Sequence, residues 1–455
     1  MANTNRATFG SKIGVILATV GCAVGLGNIW RFPYMVGANG GAAFLTVYIL
    51  CILLLGLPVM ITEFFIGRRS RRNAAGAFKV MAPGTRWSFI GYNGVWAAFL
   101  ILGFYSVVAG WTLEYMLQAV TGSLSGKTAA DFTAEFEAFS SGVVRPILWT
   151  AAFIALTHLI IISGVKEGIE RASKVMMPLL FFILIALCIR SVTLPNAGEG
   201  LAFLFHPDFK RITSSVALSA MGQAFFSLSI GMGCLITYSS YFTKNTNLQA
   251  TALQVTILDT LVAVLAGVMI FPAVFSFGIA PTAGPELVFI TLPNVFEQLP
   301  LGGVWSFVFF VLLGLAALTS TISLHEVATA YVHEEYHVTR RKAAWFVSGG
   351  VLVLGVLSSL SMGVLKGYTI FGLNFFDFLD YVTAKIMLPL GGMLICIFVG
   401  TRVDKKILKE ELTNQGTIPF HFFRTYSFFM KYIAPIAIGL IFLNESGLLK
   451  GLTKG

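Results

Sequence analysis

The stretch GCAVGLGN, residues 21–28, places three glycines in eight residues in the middle of a long apolar segment. A helix is weak at such a place, because glycine loses the most conformational freedom on folding and leaves the backbone uncovered. The stretch SLSIGMG, residues 227–233, repeats this feature five apolar segments later. The sequence therefore predicts two interrupted helices, one in each half of the chain.

The composition indicates that a bilayer surrounds these helices. The 455 residues are 56% hydrophobic and 11% charged, and the mean hydropathy is +0.82, which excludes an ordinary soluble domain. The net charge of +10 is scattered over short loops, so no nucleic-acid partner is expected. All five cysteines fall in apolar segments without zinc-ligand spacing, and the polar start lacks a cleavage site. We predict no disulfides, no zinc knuckle and no removable signal peptide.

Uncharged runs of about 20 residues predict an all-α integral membrane protein with about eleven transmembrane helices. We expect them at 12–36, 41–67, 87–120, 146–164, 169–190, 213–242, 246–279, 300–334, 342–361, 374–401 and 422–445. They would form one transporter domain, 1–445, with two inverted repeats at 1–190 and 213–401, an extra helix at 422–445 and a C-terminal tail at 446–455.

Loop charges predict the orientation in the membrane. The segment 68–86 holds six basic residues and no acid, whereas 281–300 holds two acids and no base. By the positive-inside rule, the N-terminus is cytoplasmic, and an odd number of helices leaves the C-terminus outside. We expect a multi-pass protein of a bacterial inner membrane.

The two interruptions also predict a function. Unwound backbone is tolerated in a membrane only where it is buried and finds partners, and ions or a zwitterion are suitable ones. Matching broken helices in two halves are typical of secondary transporters with a site near the membrane midplane. Close helix packing through small residues is the alternative explanation for these glycines.

The run GCAVGLGNIWRFP, residues 21–33, resembles the first helix of the neurotransmitter:sodium symporters. The resemblance covers nearly the whole chain and continues at Asn39–Gly41, Glu63, Tyr105, Gly222–Ser229 and Leu318–Ser320. It implies the LeuT-type fold, with two five-helix inverted repeats and broken helices 1 and 6, as in the shorter bacterial branch that transports leucine and other hydrophobic amino acids. Gly168 and Pro178 resemble the glycine and proline that let the fifth helix unwind.

The resemblance implies two sodium sites built from oxygen atoms, the ligands that a hard cation requires. One would use the carbonyls of Gly21, Val24 and Ala316 and the hydroxyls of Thr319 and Ser320. The other would use the Ala23 carbonyl, a carboxylate oxygen of the substrate, and the side chains of Asn28, Ser227 and Asp259. Taken alone, Thr319 and Ser320 are ordinary hydroxyls satisfied within their own helix.

Asp259 is the only charged residue between positions 245 and 280. A buried unpaired carboxylate in a membrane costs several kcal/mol, so it implies a cation or a proton as partner. It stands where the family pattern leads us to expect an amide, and a permanent acid there could replace the chloride that many animal members bind. We therefore predict chloride-independent transport. A structural pairing with Lys385, or a hydrogen bond from a neighbouring helix, is the alternative.

Gly25 predicts the class of substrate. Amine-selective relatives carry an aspartate at this place, so a glycine here leaves room for the carboxylate of an amino acid. The resemblance implies a substrate site of Ala23, Gly25, Leu26, Gly27, Ile101, Phe104, Tyr105, Phe226, Ser227, Ser229, Met232, Ser320 and Leu324. The residues that would surround the substrate side chain include no ionisable group; they are Ile101, Phe104, Phe226, Ser229, Met232 and Leu324. This favours hydrophobic or aromatic amino acids, although each apolar residue alone could simply pack helices.

The resemblance also implies two gates. Arg31 and Asp377 would form the outer pair, and Arg6 and Glu334 the inner one. We expect both pairs to be wet, because exposed pairs contribute only about 0 to 1 kcal/mol and can therefore be broken easily. We expect Glu63 to be a buried acid that supports the backbone of the first break.

Other functions fit parts of the sequence. His333-Glu334-x-x-His337 matches a zinc metalloprotease motif, but no third ligand accompanies it. A channel could use the same oxygen ligands, but has no need of amino-acid contacts. Proton-coupled amino-acid transport on the same fold is the strongest alternative, because Asp259 and Glu63 could carry protons. We expect no enzymatic activity and no transition metal.

Overall fold

The computed structural model describes residues 6–278 and 288–446 as a bundle of helices. Three predicted features lie partly or wholly outside the described residues. They are the end of the seventh helix at 279, the part from 281 to 287 of the acidic segment 281–300, and the C-terminal tail beyond Ser446. We number the spanning helices α1 to α11. They are Lys12–Ala23 and Gly27–Ala38 (α1a, α1b), Ala42–Ser70 (α2), Ser88–Thr121 (α3), Val144–Ile162 (α4), Val165–Val192 (α5), Ser214–Ser227 and Cys234–Ser239 (α6a, α6b), Leu248–Ser276 (α7), Gly302–Glu335 (α8), Arg340–Leu360 (α9), Phe375–Arg402 (α10) and Phe423–Asn444 (α11).

Both predicted interruptions occur. In the described part of the chain, nine helices are long and apolar enough to span a membrane, and the halves of α1, bent by 53°, form a tenth span. The halves of α6 have only 14 and 6 residues, so neither qualifies alone. With α6 taken as one further span, the described bundle has the predicted eleven.

The broken helices lie against the centre of the bundle. α3 and α8, with 34 residues each, pack against one another, and most residues in their most apolar stretches are buried, 83% in α3 and 72% in α8. In the most apolar stretch of α11 only 28% of the residues are buried, so α11 lies at the edge of the bundle. Short helices in the connections include Ala74–Met81, Ala129–Ser140, Ala197–Phe205, Thr291–Glu297 and Lys405–Leu412.

Several helices contain a widened π-helical turn, a feature that is frequent at functional sites. These turns are at Gly27–Arg31, Ile52–Gly56, Val165–Glu170, Tyr381–Met387 and Phe429–Ile433. The first begins α1b beside the first break, and the third begins α5.

Candidate functional site between the two helix breaks

The first break, between α1a and α1b, is held by side chains. The Gly25 N–H donates to Asn28 Oδ1 at 3.0 Å, and the Leu26 N–H donates to the Tyr105 hydroxyl at 3.0 Å. A Cβ atom at Gly25 would lie 2.2 Å from the Ser320 hydroxyl oxygen. Residues of α3 and α8 therefore approach the open backbone directly, which satisfies groups that lipid could not.

The second break, between α6a and α6b, depends on unusual backbone conformations. Ser229, Gly231 and Gly233 have φ angles of 56°, 85° and 75°, in the left-handed region that favours glycine. The Gly231 N–H donates to Glu63 Oε1 at 2.8 Å. The Ser229 hydroxyl donates to the Cys22 carbonyl at 3.0 Å, so one hydrogen bond joins the two breaks.

The position of Glu63 corrects the expectation that it supports the first break. Its side chain accepts a hydrogen bond from Gly231 in the second break instead. The reason is the close packing of α2 against α6b: a Cβ atom at Gly67 would lie 2.0 Å from the Ser239 hydroxyl oxygen. Glu63, one helical turn earlier in α2, is thereby carried to the second break.

Asp259 of α7 is fully buried between the breaks. Its carboxylate accepts hydrogen bonds from the Ser227 hydroxyl at 2.7 Å and the Asn28 amide nitrogen at 2.8 Å. The Tyr48 hydroxyl, which the sequence analysis missed, donates to Ser227 at 3.1 Å. Within the described ranges no basic side chain, Lys385 included, lies within 4.0 Å of this carboxylate. Neutral donors alone therefore offset the buried charge.

A second group of oxygen atoms lies between α1a and α8. The Thr319 hydroxyl is 2.9 Å from the Ala316 carbonyl and 3.2 Å from the Val24 carbonyl. The Ser320 hydroxyl is 3.4 Å from the same Val24 carbonyl. Gly21 faces this group, because a Cβ atom there would lie 3.4 Å from Thr319 Cβ. The structure thus brings together the five residues of the first predicted sodium site.

A narrow cavity of about 40 Å³ lies between the two breaks, α3 and α8. It is lined by Cys22, Ala23, Gly25, Gly27, Ile101, Tyr105, Phe226, Ser227, Ser229, Met232, Ser320, Ser323 and Leu324. Eleven of the thirteen predicted substrate residues are among these, so the predicted pocket is one continuous space. Leu26 contributes its N–H to Tyr105, whereas the Phe104 ring packs on Phe376 with centroids 5.3 Å apart.

Two residues of this cavity, Cys22 and Ser323, were not predicted. Ser323 follows Ser320 by three positions on α8, and this spacing places both on one helix face. That periodicity could have identified it. Cys22 lies inside the quoted glycine-rich stretch, but an apolar thiol carries no signal of its own there.

The predicted outer pair does not meet in this structure. The Arg31 guanidinium lies over the Phe226 ring, 4.2 Å from its centroid. Asp377 instead accepts a hydrogen bond from Asn374 at 2.7 Å at the start of α10. Phe226 therefore covers the cavity with Arg31 above it.

The predicted inner pair does form, but it is not wet. Arg6 contacts Glu334 directly, and these side chains are only 6% and 15% exposed. The Arg6 guanidinium lies 4.7 Å from the centre of the Tyr241 ring, and the Asn73 N–H donates to Glu334 at 2.9 Å. The expectation of a wet pair is wrong here, because these neighbours exclude water from it.

The metalloprotease motif is not assembled. α8 ends at Glu335, and His337 has a φ of 54°, so the two histidines do not share one helix face. Glu334 is bound to Arg6 and Asn73. No group of three or more His, Cys, Asp or Glu residues that could hold a metal ion occurs in the part of the chain that was described.

Known proteins resemble this chain in sequence and in fold. The model of the sodium:neurotransmitter symporter family matches residues 6–140 and 133–450. A sodium-dependent transporter of Bacillus subtilis is 41% identical over 449 residues, which cover 99% of this chain and all of the relative. The bovine sodium-dependent dopamine transporter is 28% identical over 87% of this chain and 63% of its own. The crystal structure of MhsT in complex with L-phenylalanine is similar with a TM-score of 0.89 and 46% identity, over 97% of this chain and 100% of that one.

Proposed function

This chain belongs to the sodium:neurotransmitter symporter family and is a sodium-dependent transporter, not an enzyme, and from that premise we propose that it imports neutral L-amino acids with hydrophobic or aromatic side chains. The observation that carries the proposal is the lack of space for a side chain at Gly25, where a Cβ atom would lie 2.2 Å from the Ser320 hydroxyl oxygen and 3.0 Å from the Tyr105 hydroxyl oxygen. An aspartate could not fit there as the chain is folded. The acid that recognition requires must therefore be the carboxylate of the substrate.

The amino-acid backbone would bind between the two breaks. The Tyr105 hydroxyl, which accepts from the Leu26 N–H, can donate its own proton to a carboxylate, and the carbonyls of the second break are acceptors for an ammonium group. Beyond them, Ile101, Met232 and Leu324 line the cavity and favour an apolar side chain. The related MhsT was crystallised with L-phenylalanine, which agrees with this proposal.

Two sodium sites would accompany the substrate site. The oxygen group around Thr319 fits one ion, and the group around Asp259 fits the other when the substrate carboxylate completes it. Both groups contain only oxygen atoms from neutral or anionic ligands, as a hard cation requires. Sodium at the Asp259 site would replace the neutral donors that now offset its charge.

A binding screen of the twenty amino acids, with and without sodium, tests the substrate class. We expect sodium-dependent binding of leucine, phenylalanine and similar side chains, and no binding of aspartate, lysine or dopamine. Dopamine is the control for the missing carboxylate. Binding that is equally strong without sodium but changes with pH would favour the proton-coupled alternative and contradict our proposal.

We also propose that transport does not depend on chloride, because the carboxylate of Asp259 accepts a hydrogen bond from Ser227, which in turn accepts one from Tyr48, and so supplies a negative charge at this place. We expect sodium-driven uptake to be unchanged when gluconate replaces chloride at constant sodium. The Asp259→Asn variant should lose this independence, because the fixed charge is gone. Collapse of uptake by the unaltered protein without chloride would refute this part of the proposal.

We further propose that the protein lies in a bacterial inner membrane with a cytoplasmic N-terminus and an external C-terminus. The basic segment 68–86 supports this orientation. The breaks in α1 and α6, each the first helix of a set of five, support the inverted repeats at 1–190 and 213–401. Exchange of substrate would then require alternate opening at the Arg31 end and the Arg6 end.

A further inference from the structure

We propose that Glu170 is a latch: it holds α1a closed, and its release opens the cavity toward the Arg6 end of the bundle. Glu170 would be a positioning residue of transport, distinct from the ion and substrate contacts. The inference rests on the proposed function in that the Arg6 end is taken to face the cytoplasm.

Glu170 accepts hydrogen bonds from the residues just before the N-terminus of α1a. Its side chain is 2% exposed, and its carboxylate accepts hydrogen bonds from the Gly10 N–H at 2.6 Å and the Ser11 hydroxyl at 2.9 Å. The Ser11 oxygen in turn accepts from the Gly14 N–H at 3.0 Å. A helix N-terminus has unpaired amides and a positive dipole, so a buried carboxylate stabilises it strongly there.

Two glycines at the start of α1a make room for this contact. A Cβ atom at Gly14 would lie 2.0 Å from Glu170 Oε1, and one at Gly10 would lie 2.8 Å from Lys166 Cε. Any side chain at Gly14 would displace the carboxylate. The two glycines therefore let α5 approach α1a closely enough for the latch to close.

The part of α5 that carries Glu170 has a weakened helix. Glu170 is the last residue of the π-helical turn Val165–Glu170, and Gly164 before it has a φ of 90°. Pro178, inside α5, lacks the N–H that would bind the Lys174 carbonyl. The Lys174 ammonium pairs with Glu170 at 2.6 Å. Loosening of this segment would withdraw the carboxylate and its partner together.

Charge makes the withdrawal effective. Lys166, Arg171 and Lys174 line a cavity of about 240 Å³ beside the N-terminus of α1a. With Glu170 in place, its carboxylate separates these cations from the positive end of the helix. Without it they would repel α1a, whose other end carries the Gly21 and Ala23 carbonyls of the predicted sodium sites. Release of the latch would thus disturb those sites as it opens the path.

The test uses Cys22 in the cavity as a reporter. Cys51, Cys188, Cys234 and Cys396 are replaced by alanine, and a membrane-impermeant methanethiosulfonate reagent is applied to each side of vesicles. A separate sample carries Lys342→Cys, an exposed position at the start of α9, and its labelling identifies the Arg6 side of the vesicles. In the Glu170→Gln variant we expect the reagent to label Cys22 about tenfold faster from that side than in the parent, which is the effect of losing one charge-assisted hydrogen bond.

Glu167→Gln is the matched control, because Glu167 lines the same cavity but is exposed; its labelling should equal that of the parent. Equal labelling of Glu170→Gln and the parent, or faster labelling only from the opposite side, would overturn the latch. If Glu170→Gln does not fold, Gly14→Ala is measured with the same expected tenfold change and the same criterion. A parent protein that lacks sodium-dependent amino-acid binding would instead contradict the proposed function.

Discussion

The two breaks look alike in sequence but are held open by different physics. In the first, Gly25 and Gly27 have ordinary φ angles, and their Cβ atoms would meet Ser320 at 2.2 Å and the Phe226 ring at 2.9 Å. In the second, Ser229, Gly231 and Gly233 take left-handed conformations. In the first break glycine is needed because there is no space for a side chain, and in the second it is needed because the backbone is left-handed.

This difference assigns separate tasks to the breaks. The first presents its backbone to other helices and to the cavity, so an added atom there should damage binding. The second redirects the chain and is supported by Glu63, so an added atom there should damage folding. Substitutions can separate binding from stability along this line.

Gly25→Ala should have the largest effect. The added Cβ atom would displace the Ser320 hydroxyl, which is the end of a side chain that lines the cavity. Because this hydroxyl can rotate away, unfolding should change little, whereas sodium-dependent phenylalanine binding should weaken by about 100-fold, or about 3 kcal/mol. Gly349→Ala in α9 is the control, because a Cβ atom there would have no neighbour within 4 Å. Equal losses in the two variants, measured by isothermal titration or scintillation proximity, would contradict a role for space at Gly25.

Gly231→Ala should come next and act on folding. Its φ of 85° is costly for alanine, and its Cβ atom would lie 2.4 Å from the Leu388 carbonyl oxygen. We expect the free energy of unfolding to fall by about 3 kcal/mol, seen as a lower Tm of the purified protein. Gly233→Ala shares the left-handed conformation, but its nearest neighbour is a side chain at 3.0 Å, so its loss should be smaller. An unchanged Tm for Gly231→Ala would contradict the assignment.

Substitutions at Ser229 should have the smallest effect. Ser229→Ala keeps the left-handed strain and loses the hydrogen bond to Cys22, worth about 1 kcal/mol. Ser229→Gly loses the same bond but relieves about 1 kcal/mol of strain, so its unfolding free energy should match that of the parent. A glycine variant less stable than the alanine variant would show that the backbone here is not strained.

The sequence predicted the helices and their two breaks well because these signals are local. Charged residues delimit the spans, and glycines interrupt them within a few positions, so neither feature needs distant contacts. Thr319, Ser320 and the residues of the cavity were instead named through the resemblance to the symporter family, because no local signal marks them. The residues that were misjudged depend on neighbours far away in the chain: Glu63 meets Gly231, and Tyr48 meets Ser227.

The gates show where prediction from sequence ends. The resemblance to the symporter family predicted two ion pairs, but only packing decides whether they form and whether water reaches them. Tyr241 and Asn73 keep the Arg6–Glu334 pair dry, and Phe226 takes Arg31 away from Asp377. The environment of a charge is a property of the assembled bundle, so it cannot be read from the charged residues alone.

By itself, the sequence determined that this protein spans a membrane, that two of its helices are broken, and that one apolar segment of the second half carries an isolated acid. These follow from hydropathy, glycine placement and charge, which act over one helix at a time. Only the tertiary structure decided that Gly25 must lack a side chain, that Glu63 supports the second break and that Glu170 closes on α1a. Each of these is a contact at atomic distance between separate helices, set by how the whole bundle packs.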